Sequence, residues 1–401
     1  MSTMLIALAA MFTQQTFASV AKTLPAVVAP LVIVELHADP AWVGVYYGLS
    51  AAAALLAQMG CGSFVIRYGA LRMSQAALVL LGGGMAAAAE GGLLGFGTSA
   101  VIGGGGGAVS TPTSSQLLAR VSPPRLAPVV FSIKQTAVPA GILICGFLGP
   151  AMAQAVGWRG AMLATGGACI VAAALLQPLR ARFDRDRVSS RRFRLSDFPA
   201  TIAAVVKTRD LRALSGACFA FNGVQSVFIA YFVTYLVSLR YDLATAGFLF
   251  SLIVVLAVPC RVLWGWLGSF QVSPRLVMAG LALGMAVSIA LLGMSSAAWP
   301  ATIVAVVGAA LSATALSWHG ILLSEAARLA PAGTIAAVTG GVLSFGQVGA
   351  FAGPLVFSLL LGLTGGYDVG WGVCAIPAMW IGVTLLRPRA AISRKEALTA
   401  E

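Results

Sequence analysis

Charge is scarce in this sequence, and negative charge is the scarcest. Only 9% of the 401 residues are charged, and 12 Asp and Glu stand against 25 Lys and Arg. Because 59% of the residues are hydrophobic, too few polar side chains are present to cover a water-soluble globule of this length. The composition therefore excludes a soluble globular protein and indicates an integral membrane protein.

Clustered metal ligands and nucleotide-binding motifs are also missing. The six cysteines stand singly among apolar residues and there are only two histidines, which gives neither a disulfide framework nor a zinc site. The glycine run at 103–107 lacks the Gly-Lys-Ser/Thr of a phosphate-binding loop. We therefore expect no metal, no cofactor and no enzyme activity. Nucleic acid is not an expected partner, because the basic residues flank apolar segments.

Long apolar runs are what the sequence has in abundance. Each run has about the 20 residues that a helix needs to cross a hydrocarbon core of about 30 Å. The twelve predicted spans, numbered 1 to 12 in chain order, are 4–34, 42–66, 72–92, 95–119, 126–153, 160–178, 211–238, 244–268, 275–295, 299–327, 333–362 and 370–387. The runs show no period-two alternation, which argues against a β-barrel. The prediction is an all-α membrane protein with twelve transmembrane helices.

The positive residues in the links predict the orientation. If the first link lies outside, nearly all Lys and Arg in the links fall on one side, and only Arg159 and Arg240 fall opposite. The positive-inside rule then places both termini in the cytoplasm, and we expect a bacterial-type inner membrane. The long polar segment 179–210 predicts a cytoplasmic linker between a six-helix bundle at 1–178 and another at 211–390, followed by a cytoplasmic tail at 391–401.

The two halves also repeat short patterns at equivalent places. At one constant offset, Ser132, Gln135 and Gly141 of span 5 match Ser344, Gln347 and Gly353 of span 11. The tetrapeptide RLAP occurs at 125–128 and again at 328–331. Such internal repeats are typical of duplicated transporter folds.

The link after span 2 resembles the signature of the major facilitator superfamily, which runs roughly G-x-x-x-D-R-x-G-R-R. The segment reads GSFVIRYGALR and keeps Gly62, Arg67, Gly69 and Arg72. It departs from the pattern at Ile66, where the family has Asp, and at Ala70, where it has Arg. The resemblance implies two pseudo-symmetric bundles and transport by alternating access. The missing carboxylate puts the usual cytoplasmic charge lock between the halves in doubt.

The resemblance implies further that spans 1, 4, 7 and 10 line a central cavity, which spans 2, 5, 8 and 11 help to enclose. Mid-span polar side chains follow that division. The residues predicted to bind substrate are Lys22, Lys134, Gln15, Gln135, Asn222, Gln225, His319 and Gln347.

Lys22 and Lys134 carry the functional prediction. Neither has an acidic residue within ten positions in the sequence. A lysine at the bilayer centre costs about 2.5–3.5 kcal/mol on insertion scales and normally meets an anion there. The missing anion is therefore expected to be the substrate, a small carboxylate. Structural alternatives stay open for each lysine. Lys22 binds carbonyls freed near Pro25 or is buried in its neutral form, and Lys134 neutralises the C-terminal end of a neighbouring helix or faces lipid headgroups if its span starts later.

Five charged residues are predicted to act in gating: Arg67, Arg72, Arg261, Glu325 and Arg328. Glu325 and Arg328 form an E-x-x-R pattern similar to the pairs that latch the cytoplasmic gate of related porters. Arg261 in span 8 resembles the arginine of the monocarboxylate and oxalate/formate branches, which together with cyanate-type porters are the most similar organic-anion branches. Pairing of Arg261 with Glu325 is the alternative.

We therefore expect a monomeric secondary transporter that takes up a small organic anion by proton symport or by anion exchange. No acidic residue stands at mid-span, so proton symport through Glu325 or His319, anion exchange and uniport are all compatible with the sequence. The alternative is a porter that exports drugs or metabolites by proton antiport. The basic cavity disfavours that alternative for cations, and span 5 has no central Gly-Pro.

Overall fold

The computed structural model of the chain is helical throughout the part that it describes. The described residues are 2–123, 130, 133–185, 187–190, 202–203, 205–206, 208–270, 272–296, 298–330 and 335–387. Several predicted features lie outside these residues: Ser132, the RLAP residues 125–128, residues 191–201 of the linker and the tail 391–401.

In the N-terminal half the described residues form the following α-helices. They are α1 (Ser2–Glu35), α2 (Trp42–Tyr68), α3 (Ala70–Glu90), α4 (Gly92–Ala108), α5 (Ser110–Val121), α6 (Ala137–Leu175) and the short α7 (Arg180–Phe183). The C-terminal half contains α8 (Arg209–Ser238), α9 (Leu243–Val255), α10 (Ala257–Phe270), α11 (Pro274–Gly293), α12 (Ala301–Ala315), α13 (His319–Leu329), α14 (Ile335–Thr364) and α15 (Tyr367–Leu386).

Three predicted spans are broken helices, and proline explains two of the breaks. Proline has no N–H and clashes with the carbonyl four residues earlier, so a helix tends to end there. Pro112 lies four residues after the end of α4, and Pro259 lies four residues after the end of α9. Span 4 is therefore α4 plus α5, and span 8 is α9 plus α10. Span 10 is α12 plus α13, which are separated at residues 316–318.

The described residues trace the twelve predicted passes. Ten helical segments have the length and composition to cross a membrane. One of them, Ile133–Phe183, has 51 residues, which would extend about 76 Å as a straight helix. It bends at Gly157, whose φ of 74° and ψ of 165° are not helical, so it makes two passes. The 27-residue α2 makes another. The all-α prediction is confirmed.

The helices of each half pack through small residues. In the C-terminal half, α8 and α14 approach backbone to backbone, because a Cβ at Gly353 would lie 2.8 Å from the carbonyl oxygen of Gly223. Glycine at such contacts lets membrane helices come close without side chains between them. The glycines of span 11 therefore serve contact within this half. Large apolar side chains such as Trp380 and Ile376 of α15 are exposed instead, as lipid-facing residues are.

One end of the bundle shows direct contacts between the two halves. We call the end where α1 begins and α6 ends the linker side, and the opposite end the far side. On the far side the Ala41 carbonyl accepts hydrogen bonds from Tyr231 Oη at 3.2 Å and Ser358 Oγ at 2.6 Å. A side chain at Gly44 would collide with the Pro354 carbonyl oxygen. The far side of the interface is thus closed by direct contact between α2 and the helices α8 and α14.

Removing both far-side hydrogen bonds is expected to loosen this closure. A typical hydrogen bond contributes about 0.5–1.5 kcal/mol, so Tyr231→Phe with Ser358→Ala should weaken far-side closure by about 1–3 kcal/mol. Electron–electron resonance between spin labels at the exposed far-side positions Val34 and Met294 should then show a longer distance component. Ser238→Ala is the control, because that hydroxyl binds only its own helix, at the Tyr235 carbonyl. An unchanged distance distribution in the double variant would contradict this role.

Candidate functional site

Three basic side chains from three spans come together between the halves. Lys134 lies just before α6 in the N-terminal half, whereas Arg261 of α10 and His319 at the start of α13 belong to the C-terminal half. Each of the three interacts electrostatically with the other two. We call Lys134, Arg261 and His319 the basic cluster. Both halves therefore contribute positive or protonatable groups to one place.

Broken helices hold Arg261 in position. Pro139 cannot donate to the carbonyl of Gln135, and the break after α12 frees the carbonyl of Leu316. Arg261 uses these two acceptors: its Nη1 donates to the Gln135 carbonyl at 2.7 Å and its Nε to the Leu316 carbonyl at 2.8 Å. The guanidinium thus bridges the two halves, and its charge is partly compensated by carbonyl dipoles.

Lys134 has no such compensation. Its side chain is fully buried, and its Nζ has no hydrogen-bond partner among the described residues. A buried ammonium without a partner is costly, because it has lost its hydration and gained nothing in exchange. Lys134 is therefore the member of the basic cluster whose charge no described hydrogen-bond partner compensates.

His319 is fixed by an aromatic neighbour. Its ring stacks on Trp318 with centroids 3.7 Å apart, and its Nδ1 is buried without a partner among the described residues. Trp318 in turn donates from Nε1 to Gln225 Oε1 at 3.0 Å. The predicted site residue Gln225 therefore contacts Trp318, which in turn packs on His319 of the basic cluster. The sequence did not indicate this hydrogen bond.

The acidic residues stand outside the middle of the predicted spans. All twelve Asp and Glu lie near predicted span ends, in links or in the terminal tail. Glu325, six residues after His319, is buried and receives two hydrogen bonds from Arg328, at 2.7 Å from Nε and 2.6 Å from Nη2. These bonds raise the pKa of the Arg328 guanidinium above its usual value. Glu325 and Arg328 thus pair within α13, and their role in gating stays a prediction. Arg261 binds backbone carbonyls, whereas pairing with Glu325 had been the alternative.

Lys22 lies at a different depth. Ser19 Oγ donates to the Val138 carbonyl at 2.8 Å, and a Cβ at Gly149 would lie 3.0 Å from Val27, so α1 and α6 run side by side. These contacts place Lys22 about 10–15 Å farther toward the far side than Lys134, at 1.5 Å per residue. The backbone positions of the two lysines therefore differ in depth, and their joint binding of one anion stays a prediction.

Lys22 has its own surroundings on α1. Its exposed side chain passes Gly107, where a Cβ would lie 2.9 Å from the Lys22 Cδ. Tyr47 Oη donates to the Lys22 backbone carbonyl at 3.0 Å. About two helical turns of α1 nearer the linker side, the hydroxyl of Thr111 donates to Gln15 Oε1 at 3.5 Å. Lys22 and Gln15 thus form a polar face between α1 and the span of α4 and α5.

The remaining predicted binding residues lie between α8 and α14. Asn222 Nδ2 donates to the Gly346 carbonyl at 2.8 Å, which ties the two helices together. Gln347, the next residue, is half-buried, as is Gln135 beside Lys134. The structure therefore brings Lys134, Gln135, His319 and Gln225 into one region. It places Asn222 at the contact between the C-terminal helices α8 and α14, with Gln347 next to that contact in sequence.

The signature link uses a carboxylate that sequence reasoning missed. Asp184, just after α7, accepts from the backbone N–H of Leu71 and of Arg72, each at 2.9 Å. It caps the first turn of α3, next to Gly69 with its φ of 98°. The chain therefore supplies from residue 184 an acid near the place where Ile66 departs from the family pattern. Arg67 and Arg72 are both exposed there and lie over the ring of Tyr68.

Removal of the Asp184 carboxylate is expected to destabilise the N-terminal half. Losing a capping side chain costs about 0.5–2 kcal/mol, so Asp184→Ala should lower the thermal unfolding temperature of the detergent-purified protein by a few degrees. Asp184→Asn keeps one acceptor oxygen and should have a smaller effect. Equal stability of Asp184→Ala and the wild type would show that the cap contributes nothing.

Comparison with known families agrees with this architecture. The family model described as Major Facilitator Superfamily matches residues 5–354. The chain belongs to the major facilitator superfamily. It is accordingly an integral membrane protein of a transporter family, as the signature link predicted. No curated protein matches the chain in sequence.

Solved transporter structures share the fold at low sequence identity. A bacterial homologue of the human lysosomal transporter Spinster, in an inward-facing and occupied conformation, has a TM-score of 0.69 at 15% identity, with 94% of both chains covered. A D-xylose–proton symporter gives 0.72 at 14% identity, covering 95% of this chain and 97% of the other. A POT family transporter in complex with a thioalcohol-conjugated peptide gives 0.73 at 13% identity, covering 94% and 95%. At these identities the likeness concerns the fold alone.

Proposed function

We propose that this member of the superfamily transports a small organic anion, a carboxylate, by alternating access. The single observation that supports it most is the buried Lys134 ammonium, which has no hydrogen-bond partner among the described residues and lies beside Arg261. A carboxylate would supply both the missing negative charge and the missing acceptors. The charge of the site therefore selects for anions over cations and neutral analogues.

The position of the basic cluster suits transport as well as binding. Lys134 belongs to one half, and Arg261 and His319 belong to the other. A ligand held by groups on both halves favours their approach, and its release favours their separation. In this proposal Gln135 and His319 orient the carboxylate, and Gln225 keeps Trp318 and His319 in place. Lys22, at another depth, receives the anion on its way to or from the far side, along the polar face that includes Gln15.

The distribution of positive residues also bears on the direction of transport. Positive residues concentrated at the linker side support a cytoplasmic linker, with both termini inside a bacterial-type inner membrane. We propose uptake, with proton symport or anion exchange as the two coupling modes. Protein monomers in the bilayer suffice for this mechanism, because the basic cluster is completed within one chain.

Transport assays in proteoliposomes test the proposal. Purified protein is reconstituted and supplied with a panel of radiolabelled mono- and dicarboxylates. Uptake is measured with and without a pH gradient. Each condition is repeated in empty vesicles and in vesicles loaded with the same anion. We expect protein-dependent uptake of at least one carboxylate. A parallel arm offers lipophilic cations and neutral drugs to vesicles with an acidic interior. If drugs accumulate and no carboxylate moves, the proposal of anion transport is wrong and efflux by proton antiport takes its place.

A further inference from the structure

Arg261 and Lys134 of the basic cluster differ in which groups compensate their positive charge. Arg261 donates to two backbone carbonyls, of Gln135 and Leu316, at 2.7 and 2.8 Å. These acceptors belong to the protein, so they stay with Arg261 whether or not an anion is bound. A guanidinium also does not lose its proton in proteins. Arg261 therefore remains charged in the empty site.

Lys134 depends on the anion for compensation. Its Nζ is buried without a partner among the described residues. Arg261 donates to the carbonyl of the next residue, Gln135, and His319 interacts electrostatically with Lys134, but neither side chain supplies negative charge. When an anion leaves, the ammonium would remain as an uncompensated charge next to a guanidinium. A lysine, unlike an arginine, can relieve this situation by giving up a proton.

No other group near the basic cluster serves as well for proton coupling. A carboxylate carrier would have to lie among the acids, all of which stand outside the middle of the spans. Both oxygens of Glu325 already accept hydrogen bonds from Arg328. Protonation of His319 would add a third positive charge to the cluster, which opposes return of the empty site.

We propose, on the basis of the anion transport proposed above, that Lys134 carries the coupling proton. With anion bound, Lys134 is an ammonium. When the anion leaves, one N–H bond of the ammonium breaks, the proton passes to water on the same side, and the empty site returns with a neutral amine. Water on the entry side protonates the amine again as the next anion binds. One proton thus moves in the same direction with each anion.

The variant Lys134→Arg separates charge from proton transfer, because it keeps a positive charge that cannot be released. The probe is the carboxylate transported fastest in the panel. Two rates are measured: net uptake into empty vesicles driven by a pH gradient, acid outside, and exchange at equal pH between labelled and unlabelled anion. Exchange needs no empty return, so it does not require proton release. We expect the ratio of net uptake to exchange to fall at least tenfold in Lys134→Arg.

Wild-type protein provides the second measurement. A pH-sensitive dye inside empty vesicles should report one proton entering per monovalent anion. Exchange without proton entry would overturn the role of Lys134 while leaving anion transport intact, whereas absence of both net uptake and exchange would overturn anion transport itself.

Two further variants address the competing proton carriers. His319→Gln and Glu325→Gln are compared by the same ratio of rates, whatever their absolute activity. Loss of proton entry in either variant, with Lys134 present, would assign the proton to that residue and overturn the proposal. Retention of the wild-type ratio in Lys134→Arg would overturn it as well. If Lys134→Arg does not yield monodisperse protein, the dye measurement and these two variants decide the outcome.

Discussion

Lys134→Met is expected to make the protein more stable and to stop transport. Methionine has a similar length and no polar group, so the variant removes a buried amino group that has no hydrogen-bond partner among the described residues, whether it is charged or neutral. Replacing buried charges by apolar side chains of similar volume often stabilises a protein by about 1–4 kcal/mol. Carboxylate transport should fall about 10- to 100-fold or more, the equivalent of one charge-assisted hydrogen bond.

Thermal unfolding of the detergent-purified protein and uptake in proteoliposomes measure the two effects together. Arg240→Gln is the control, because it removes one positive charge from an exposed position after α8. A structural role for Lys134 predicts the opposite sign of the stability change. Lower stability of Lys134→Met, or wild-type transport by it, would therefore contradict a binding role.

Arg261→Met is expected to destabilise the protein strongly. The substitution leaves the carbonyls of Gln135 and Leu316 without their donor, and both were freed from helical hydrogen bonding by the local breaks. Unsatisfied buried acceptors cost about 1–3 kcal/mol each, so the total loss should be about 2–5 kcal/mol. Transport should also fail, because the contact between the halves at the basic cluster is lost.

The matched control is Arg261→Lys, which keeps the charge but has a single nitrogen to reach both carbonyls. It should lie between the wild type and Arg261→Met in unfolding temperature. Two neighbouring cations with stability effects of opposite sign would be difficult to explain by general packing. Stabilisation by Arg261→Met, or equal effects at both positions, would contradict the assignment of their roles.

The passes across the membrane were predictable from the sequence, because each depends on a local property. Twenty apolar residues are enough to propose a span, and Pro112 and Pro259 lie four residues after the ends of α4 and α9. The signature link at 62–72 also indicated the family, and the match over residues 5–354 confirms it.

The partners of the charged residues were less predictable. Arg261 and Gln135 are 126 positions apart, and nothing local in either segment indicates their contact. The acceptors of Arg261 are backbone atoms, which no residue type in the sequence marks. The free Gln135 carbonyl could have been inferred from Pro139, but its partner could not. Asp184 was missed for the same reason, since it binds main-chain N–H groups of a distant helix.

The joint use of Lys22 and Lys134 was a hypothesis based on residue type. Both are lysines within apolar runs, and the sequence offers no measure of their relative depth beyond counting along separate helices. The packing of α1 on α6 places the backbones of these two lysines at depths that differ by about 10–15 Å along the helices. The binding hypothesis therefore continues with Lys134, Arg261 and His319 as its centre, and Lys22 remains a prediction for another point on the path.

The cap that Asp184 provides also has a consequence for biosynthesis. The first turn of α3 lies early in the chain, but the Asp184 carboxylate that accepts from the Leu71 N–H lies 113 residues later. A ribosome must therefore translate six spans and the start of the linker before the turn between α2 and α3 acquires its final hydrogen bonds. Nascent chains that end before residue 184 should leave that turn more accessible to protease than chains that extend past it, so the N-terminal bundle matures only after its last helix has been made.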